Sequence, residues 1–333
     1  MDERISVIVT TYNQERTIAR TLDSILMQQC HLPIEIIIGE DCSTDDTLSI
    51  CQQYASKHPD IIHLFANTTN KGIIDNYFDC LLEARGKYIA DCAGDDFWTD
   101  PLKLEKEVAV LDQHLEVTLV HTDWLYYDEH DATTHPHVQR HYDKPFTAGT
   151  ELLEAILTQT KLPVIHLCTS LYRKEAFLKA YEQDTYLFRN KEFGCEDLSL
   201  TFMLARQGTI AYLPEVTLNY SYGQNHSSIS FHQDDEHQFQ FVKQTSLLTH
   251  YLSNKYGIHT ATISKHLQQR IHALAMHAFR AHAPQLCQQV VQLQHEWQVK
   301  PLTKTKFVMI ITSMPLLWHA ALGLRRLVVH CRH

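Results

Sequence analysis

The sequence lacks the two glycine-rich loops by which many nucleotide-binding sheets hold phosphate. Neither GxGxxG nor GxxxxGK[ST] occurs in its 333 residues, and it contains only 10 glycines. Because those loops place backbone N–H groups against the phosphates, their absence argues against a dinucleotide-dependent dehydrogenase and against a P-loop enzyme. The sequence also has no internal repeat and no low-complexity linker.

Cysteine pairs are missing as well. The nine cysteines are scattered, with no CxxC motif and no histidine at zinc-site spacing. This usage is typical of reduced thiols in a cytosolic compartment. The first four residues lead directly into an apolar run at Ile5–Thr10, which leaves no room for a signal peptide. We therefore expect a cytoplasmic protein.

Acidic residues are absent from the last part of the chain. Residues 297–333 contain six Lys/Arg and no Asp or Glu. The whole chain has a net charge of −10, so the residues before 297 have a net charge of −16. An acidic body argues against a nucleic-acid partner. The basic, apolar tail instead suggests an anionic membrane surface at the inner face of the plasma membrane.

The segment Phe307–Leu324 has no charged residue for 18 positions. Its length is borderline for a membrane span. Pro315 and His319 in its middle favour a kinked helix that lies in the membrane interface. A helix packed on the protein body and a full span remain alternatives.

Four short runs rich in β-branched residues alternate with helical patterns in the first 100 residues. The predicted strands are Ile5–Thr10, Ile34–Gly39, Ile61–Phe65 and Tyr88–Cys92. The predicted helices are Thr17–Gln29, Thr44–His58, Ile73–Ala84 and, after the fourth strand, Pro101–His114. The alternation predicts an α/β fold, with a mostly parallel sheet and helices on both faces.

Weaker patterns continue the chain. We predict strands at Thr118–His121, Thr169–Arg173, Thr209–Leu213 and Val216–Tyr222, helices at Gly149–Gln159 and Leu198–Gln207, and a polar loop at Tyr126–Pro145. From residue 233 the pattern is helical. We therefore expect one domain over residues 1–230 and a helical region over residues 231–333.

Two adjacent carboxylates, Asp95 and Asp96, follow the fourth predicted strand. Ligands of open α/β sheets bind at the carboxyl ends of strands. Paired carboxylates repel each other unless a cation lies between them, which suggests Mn²⁺ or Mg²⁺ bridging phosphate oxygens. A solvated acidic turn is the alternative. A second pair, Glu196 and Asp197, lies at a predicted helix start, where the helix dipole alone would favour acids.

Six segments in order resemble family 2 glycosyltransferases of the GT-A fold, of the bacterial surface-polysaccharide type. They are SVIVTTYNQERTIARTLDSIL, EIIIGEDCSTDDT, NKGIIDNY, GKYIADCAGDDFWTDPLKL, GCEDLSLTFMLARQGTIAYLPEVTLNY and the segment around His226. Together they cover about residues 4–230. The last hundred residues match no family pattern.

The resemblance implies a nucleotide-diphosphate sugar donor, with a UDP-sugar favoured, and a divalent metal. Donor-binding positions would be Thr11, Tyr12, Asp41 and Asp96, with Asp41 at the uracil edge. Apart from the resemblance, Asn70 is a candidate for donor contact, although its sequence context favours a turn. The metal positions would be Asp95 and His226. The first acid of the family's DxD motif is replaced by Ala93, and Tyr220-Ser221 replaces a common Tyr-Arg.

The resemblance further implies that Asp197, in the Glu196-Asp197 pair, is the catalytic base. It would take a proton from an acceptor hydroxyl in a single displacement that inverts the sugar configuration. The acceptor would be a glycan or a lipid-linked glycan. A catalytically silent nucleotide-sugar or glycan-binding module is the main alternative, motivated by Ala93. A nucleotidyltransferase is less consistent with TTYNQERT after the first strand.

Overall fold

The computed structural model describes residues 2–136, 144–159, 165–223 and 234–330. The chain forms two compact units, Met1–Ser227 and Ser228–His333. The boundary predicted at residue 230 lies outside the described residues.

The first unit is built around one ten-stranded sheet. Its strands are β1 (Asp2–Thr11), β2 (Ile34–Glu40), β3 (Ile62–Ala66), β4 (Gly86–Asp91), β5 (Phe97–Trp98), β6 (Val117–Asp128), β7 (Thr133–Pro136), β8 (Phe146–Ala148), β9 (Ser170–Arg173) and β10 (Thr209–Tyr222). Its helices are α1 (Ile18–Leu26), α2 (Thr47–Lys57), α3 (Ile73–Glu83), α4 (Lys103–Gln113), α5 (Gly149–Thr158), α6 (Lys174–Gln183), α7 (Thr185–Arg189) and α8 (Asp197–Ala205).

The strand order is β3-β2-β1-β4-β9-β6-β10-β5, with β7 beside β6 and β8 beside β10. Strands β3, β2, β1 and β4 are parallel, and so are β6 and β10. Strand β9 runs antiparallel between the two parallel groups. The predicted α/β class is confirmed. Strand β2 lies on one side of β1 and β4 lies on the other, so the strand order reverses at β1. The loops after β1 and β4 therefore flank a switch point, where such sheets bind ligands.

Alternation along β1 supplies two apolar faces. Ile5, Val7 and Val9 enter the core that includes α1 and α4, and Ile8 is buried on the other face. A second apolar cluster joins α3 and α6, where the rings of Phe78 and Phe177 stack at 6.2 Å. Burial on both faces explains why these strands consist of nearly continuous β-branched residues.

Two predictions about β-structure are wrong. Tyr126–Pro145 does not begin as a loop, because β6 continues to Asp128 and β7 follows; residues 137–143 lie outside the described part. The rings of Tyr126 and Tyr220 pack at 5.9 Å, so aromatic burial extends β6 along β10. The two strands predicted between Thr209 and Tyr222 are one strand, whose register shifts around Pro214.

Two predicted helix starts are also wrong. Helix α2 begins at Thr47 rather than Thr44, because Ser43 Oγ accepts from Asn13 N at 2.9 Å instead of capping the helix. Helix α4 begins at Lys103 rather than Pro101, and the Asp100 carboxylate accepts from Leu102 N at 2.9 Å in the turn before it. A tertiary contact at Ser43 and a local turn contact at Asp100 thus override the helix signal.

The second unit consists of helices α9 (Asp235–Lys255), α10 (Ala261–Ala281), α11 (Pro284–Glu296), α12 (Thr303–Thr312) and α13 (Pro315–His330). Trp318 is buried and donates from Nε1 to Phe279 O at 3.0 Å, which fastens α13 to α10. The predicted kink at Pro315 is present. None of the described helices is long and apolar enough to cross a membrane alone; α12 and the segment Pro315–Gly323 satisfy that test only as a pair bent by 110°.

Candidate active site

The loops that follow β1 and β4 are joined by hydrogen bonds at the carboxyl edge of the sheet. Gly94 N donates to Thr10 O at 3.0 Å, and Thr17 Oγ1 donates to Gly94 O at 2.8 Å. A Cβ atom at Gly94 would lie 2.8 Å from Thr11 Oγ1, so only glycine permits this approach. The contact places the acidic loop beside the end of β1.

Asp95 and Asp96 occupy different environments on this loop. The Asp96 side chain is 1% exposed and its Oδ1 accepts from Ser221 N at 3.0 Å. Its Oδ2 is buried and accepts no hydrogen bond in the described part of the chain. Burial, together with the charge of Asp95, raises the pKa of Asp96 well above its usual range. Asp95 is half-buried.

Only Asp95 of the pair is therefore open to a donor in this structure. The predicted contact of Asp96 with the nucleotide is not supported by its placement, because its carboxylate faces β10 instead. His226, the second predicted metal ligand, lies outside the described residues. One carboxylate is still sufficient for a Mg²⁺-type site, since that ion is usually held by one or two carboxylates plus substrate phosphates and water.

Arg20 on α1 supports the acidic loop, although the sequence did not predict Arg20 as a site residue. Its Nη2 donates to Asp95 O at 3.2 Å and to Ser221 Oγ at 3.1 Å, and its Nη1 donates to Glu129 Oε2 at 3.3 Å. The guanidinium lies 4.1 Å from the centre of the Phe97 ring. These contacts connect α1, the acidic loop and the end of β10. An arginine on a helix surface carries no local signal of such a role.

Asp41 at the end of β2 holds a loop. Its Oδ1 accepts from Lys71 N at 2.9 Å and Asn67 Nδ2 at 3.0 Å, and its Oδ2 accepts from Gly72 N at 2.9 Å. A carboxylate can accept about four hydrogen bonds, so one acceptor position of Asp41 remains. Asn70 forms the turn instead of facing the sheet edge, since its Oδ1 accepts from Gly72 N.

Thr11 and Tyr12 lie at the end of β1. Thr11 is buried, and its Oγ1 has no hydrogen-bond partner among the described residues. Tyr12 is 39% exposed, which leaves its ring available to stack on a base. Asp41 N donates to Thr11 O at 3.0 Å, so the three predicted nucleoside positions are adjacent.

Glu196 and Asp197 begin α8, and a third carboxylate, Asp91, accompanies them. Burial raises the pKa of Asp197. Burial and the charge of Asp197 raise the pKa of Glu196 well above its usual range. Burial also raises the pKa of Asp91 to about 8, with a further contribution from the charge of Asp197. All three carboxyl groups therefore hold protons more strongly than usual.

Asp91 was not predicted as a site residue, because the sequence places it inside the predicted strand Tyr88–Cys92. Tyr77 Oη donates to its Oδ1 at 2.7 Å, and Tyr77 Oη lies 3.1 Å from Tyr172 Oη. Asp91 Oδ2 is buried and has no hydrogen-bond partner among the described residues. Sequence spacing could not reveal this site, because α3, β4 and β9 supply one residue each.

Cys168 lies beside the acidic loop, where its Sγ accepts from Ala93 N at 3.3 Å. Burial raises the pKa of its thiol well above the usual range, and the charges of Asp96 and Asp197 add to the effect. The Asp96 carboxylate, the His166 imidazole and the Cys168 Sγ lie within 4.8 Å of one another, a spacing that a metal ion could use. The backbone O of Cys168 accepts from Trp98 Nε1 at 2.8 Å, and Trp98 is buried in the core.

A GT-A sheet with carboxylates at its switch point and at the start of α8 defines a nucleotide-sugar glycosyltransferase. The chain belongs to glycosyl transferase family 2, whose sequence model matches residues 6–180. Membership in this family favours a transferase over the silent binding module.

Two bacterial relatives share sequence with this chain. An uncharacterized protein of Mycobacterium tuberculosis is 44% identical over 115 residues, which is 34% of this chain and 33% of the relative. An uncharacterized glycosyltransferase of Haemophilus influenzae is 28% identical over 263 residues, covering 78% and 77% of the two chains. The chain thus spans about a third of the mycobacterial relative.

The fold is similar to the crystal structure of residues 1–349 of TarS from S. aureus, solved in complex with UDP-GlcNAc. The TM-score is 0.57 at 18% identity, and the similarity covers 92% of this chain and 90% of that one. At this identity the similarity establishes the fold alone.

Proposed function

We propose that this glycosyltransferase moves a sugar from a UDP-sugar to a hydroxyl group of a glycan or lipid-linked glycan, with inversion at the anomeric carbon. The observation that carries the proposal is the junction of the loops at the end of β1, where Gly94 N donates to Thr10 O and Asp41 N donates to Thr11 O, each at 3.0 Å. The acidic loop and the predicted nucleoside positions therefore lie at one edge of the sheet.

The donor is supported by the end of β1 and by Asp41. Tyr12 offers an exposed ring for the base, and Asp41 retains one acceptor position for a uracil N–H. The UDP-GlcNAc bound by TarS makes a UDP-sugar the first donor to test.

Asp95 would hold Mn²⁺ or Mg²⁺, together with His226 if that residue reaches the site. The bound cation would supply positive charge to the departing diphosphate. Ala93 leaves the loop one acid short, so the remaining coordination positions belong to phosphate oxygens and water.

The residues of α8 and β4 would handle the acceptor. Asp197 accepts the proton of the acceptor hydroxyl as that oxygen attacks the anomeric carbon from the face opposite the nucleotide. The bond from the anomeric carbon to the diphosphate oxygen breaks in the same step, and UDP leaves. One base is sufficient, because no covalent glycosyl intermediate forms.

We further propose that the helical unit contacts an anionic membrane at the cytoplasmic face. Large apolar side chains of α12 and α13 face solvent, among them Phe307 at 64% and Leu316 at 88% exposure. Lys304 and Lys306 are exposed on the same short helix. Exposed apolar residues flanked by lysines are typical of interfacial helices.

A donor panel tests the proposed reaction. UDP-, GDP- and dTDP-sugars are incubated with the enzyme and either Mn²⁺, Mg²⁺ or EDTA, and nucleotide release is measured. We expect release of UDP from one sugar, dependent on the metal, and NMR of the product should show the inverted anomer. Release of GDP or dTDP alone, release that persists in EDTA, or a product of retained configuration would each contradict the corresponding part.

A further inference from the structure

The helical unit contains a cavity of about 330 Å³ that the proposed reaction does not use. It lies between α9, α10 and the segment that follows α11. Its inner wall consists of the buried residues Ile263, Leu267 and Trp297. The volume is at the small end of the range of about 300–1,000 Å³ for small-molecule sites, so a ligand of monosaccharide size would fill it.

One wall of the cavity is held rigid by side-chain contacts. The His250 ring stacks on the Trp297 ring, with centroids 5.3 Å apart and an angle of 23°. The Asn254 side-chain amide lies 2.9 Å from His250 Nε2. Burial lowers the pKa of His250, which keeps its imidazole neutral and able to accept that N–H. The cavity is thus largely formed before any ligand binds.

The rim of the cavity carries nitrogen groups and no carboxylate. Lys300, His259 and His250 line it, and none of its lining residues is Asp or Glu. Within the described residues, no ion pair or side-chain hydrogen bond engages Lys300 or His259. The acid that influences this wall is Glu296, outside the lining, whose Oε1 accepts from Gln292 Nε2 at 2.7 Å.

We propose that this cavity binds a soluble phosphate monoester of a sugar or polyol. Lys300 and His259 would contact the phosphate, and the apolar wall with Trp297 would cover the carbon skeleton. A phosphate monoester carries about −1.5 to −2 charge at pH 7 and three acceptor oxygens, which suits more than one nitrogen donor. Lysine binds such groups as a point charge.

The two halves of the cavity exclude simpler ligands. Inorganic phosphate would leave the apolar wall against water, and a neutral sugar would leave the lysine without a counter-charge. Affinity should therefore require both the phosphate and the sugar in one molecule. Because this site lies in the helical unit, the proposal does not depend on the chemistry assigned to Asp95 or Asp197.

Isothermal titration of the full-length enzyme with glucose 6-phosphate tests the proposal. Saturating UDP and EDTA keep the donor site from contributing. We expect one binding site, a weaker response to inorganic phosphate and to glucose, and a shift of the Trp297 indole N–H resonance in ¹H–¹⁵N NMR spectra. The resonance is assigned from the spectrum of Trp297→Phe.

Lys300→Gln should weaken binding at least about tenfold, because a charge-assisted contact is lost. Lys265→Gln, an exposed lysine of α10 outside the cavity, is the matched control and should bind like the unaltered protein. Both lysines are exposed, so neither change should affect folding, which circular dichroism verifies.

The proposal is overturned if glucose 6-phosphate does not bind, or if Lys300→Gln and Lys265→Gln bind it equally. Glucose binding as tightly as its phosphate would also overturn it. Vesicles of phosphatidylglycerol form a final arm. If only the vesicles bind, and Lys300→Gln weakens that binding while Lys265→Gln does not, the ligand is a lipid headgroup and the soluble ester is rejected.

Discussion

The backbone N–H of Ser221 donates to the Asp96 carboxylate at 3.0 Å, which ties the acidic loop to β10. Asp95, the adjacent acid, has its backbone O held by Arg20 at 3.2 Å and its side chain half-buried. The two neighbouring carboxylates therefore have separable roles: Asp96 holds the loop, and Asp95 is available to the donor.

Substitutions at the two positions should separate stability from turnover. Asp96→Ala should lower the free energy of unfolding by about 1–3 kcal/mol, because Ser221 N–H loses its buried acceptor. Asp95→Asn should change stability little and abolish most metal-dependent turnover. Urea denaturation and UDP release measure the two effects. Equal losses of stability in both variants would contradict this division.

Asp197→Asn should lower kcat by about 10²–10⁴, the range for general-base catalysis, while the Kd of the donor stays unchanged. Burial raises the pKa of Asp197, and a base acts only when it is deprotonated. As the pH is lowered, turnover should therefore begin to fall at a higher pH than it would with a base of ordinary aspartate pKa. Glu192→Gln, an exposed acid nearby, is the control. If Asp197→Asn retained its turnover, Asp197 would not be the catalytic base.

The sequence predicted the elements whose signal is local. Strands β1, β2 and β4 are largely apolar runs, and their predicted ranges lie within three residues of those observed at each end. The start of α2 was misplaced because Ser43 bonds to Asn13 across the site. That contact exists only after the loops have come together, so no local pattern contains it.

The same reasoning applies to the site. Asp95 and Asp197 could be proposed because each follows or begins a recognisable element. Asp91 and Arg20 could not be proposed from the sequence. Asp91 is identified by its hydrogen bond from Tyr77 on α3, and Arg20 by its hydrogen bond to the backbone of the acidic loop. Long-range contacts determine which polar residues of a strand or helix belong to a site.

Asp91 should make the protein less stable as pH rises. Its pKa is about 8 in the folded chain, whereas an unfolded aspartate titrates near 3.8. Above pH 4 the unfolded state releases a proton that the folded state retains, so stability falls up to about pH 8. The titratable groups that interact with Asp91 include Tyr77, Tyr172, Asp197, Glu196, Cys92 and Lys103.

Asp91→Asn keeps an acceptor for Tyr77 and removes this proton. The loss of stability between pH 6 and pH 8, up to about 1.4 kcal/mol per pH unit for one proton, should shrink in the variant. Urea unfolding at several pH values measures the slope. An unchanged slope would place the titration on another group.

Lys103 and Glu107 form a fully buried ion pair on α4, with Nζ and Oε2 2.7 Å apart. Burial raises the pKa of Glu107 to about 7. Lys103→Met should cost about 3–5 kcal/mol, because it leaves an acid buried without its partner. The double variant Lys103→Met with Glu107→Leu should recover most of that stability.

The surface pair of Lys106 and Asp100 is the matched control, at 2.6 Å. Because that pair is partly solvated, Lys106→Met should cost about 0–1 kcal/mol. Urea denaturation of the three variants gives the comparison. If the double variant were less stable than Lys103→Met, the buried pair would be a net source of stability rather than a replaceable one.

Membrane contact should depend on the exposed apolar residues of α12 and α13. Deleting the whole tail is a poor test, since Trp318 packs in the helical unit and bonds to Phe279 O. Replacing Phe307, Leu316 and Leu317 with Gln keeps that anchor. Each buried apolar side chain contributes about 1.5–3 kcal/mol, so affinity for anionic vesicles should fall at least about a hundredfold.

Val291→Gln removes an exposed apolar residue of α11 and is the control for this loss. Cosedimentation with phosphatidylglycerol vesicles measures binding, and added salt should weaken it because lysines take part. If the triple variant sediments like the control, the exposed face of α12 and α13 does not contact the bilayer. The proposal of a membrane-bound acceptor would then lose its structural support, while the glycosyl transfer itself would be unaffected.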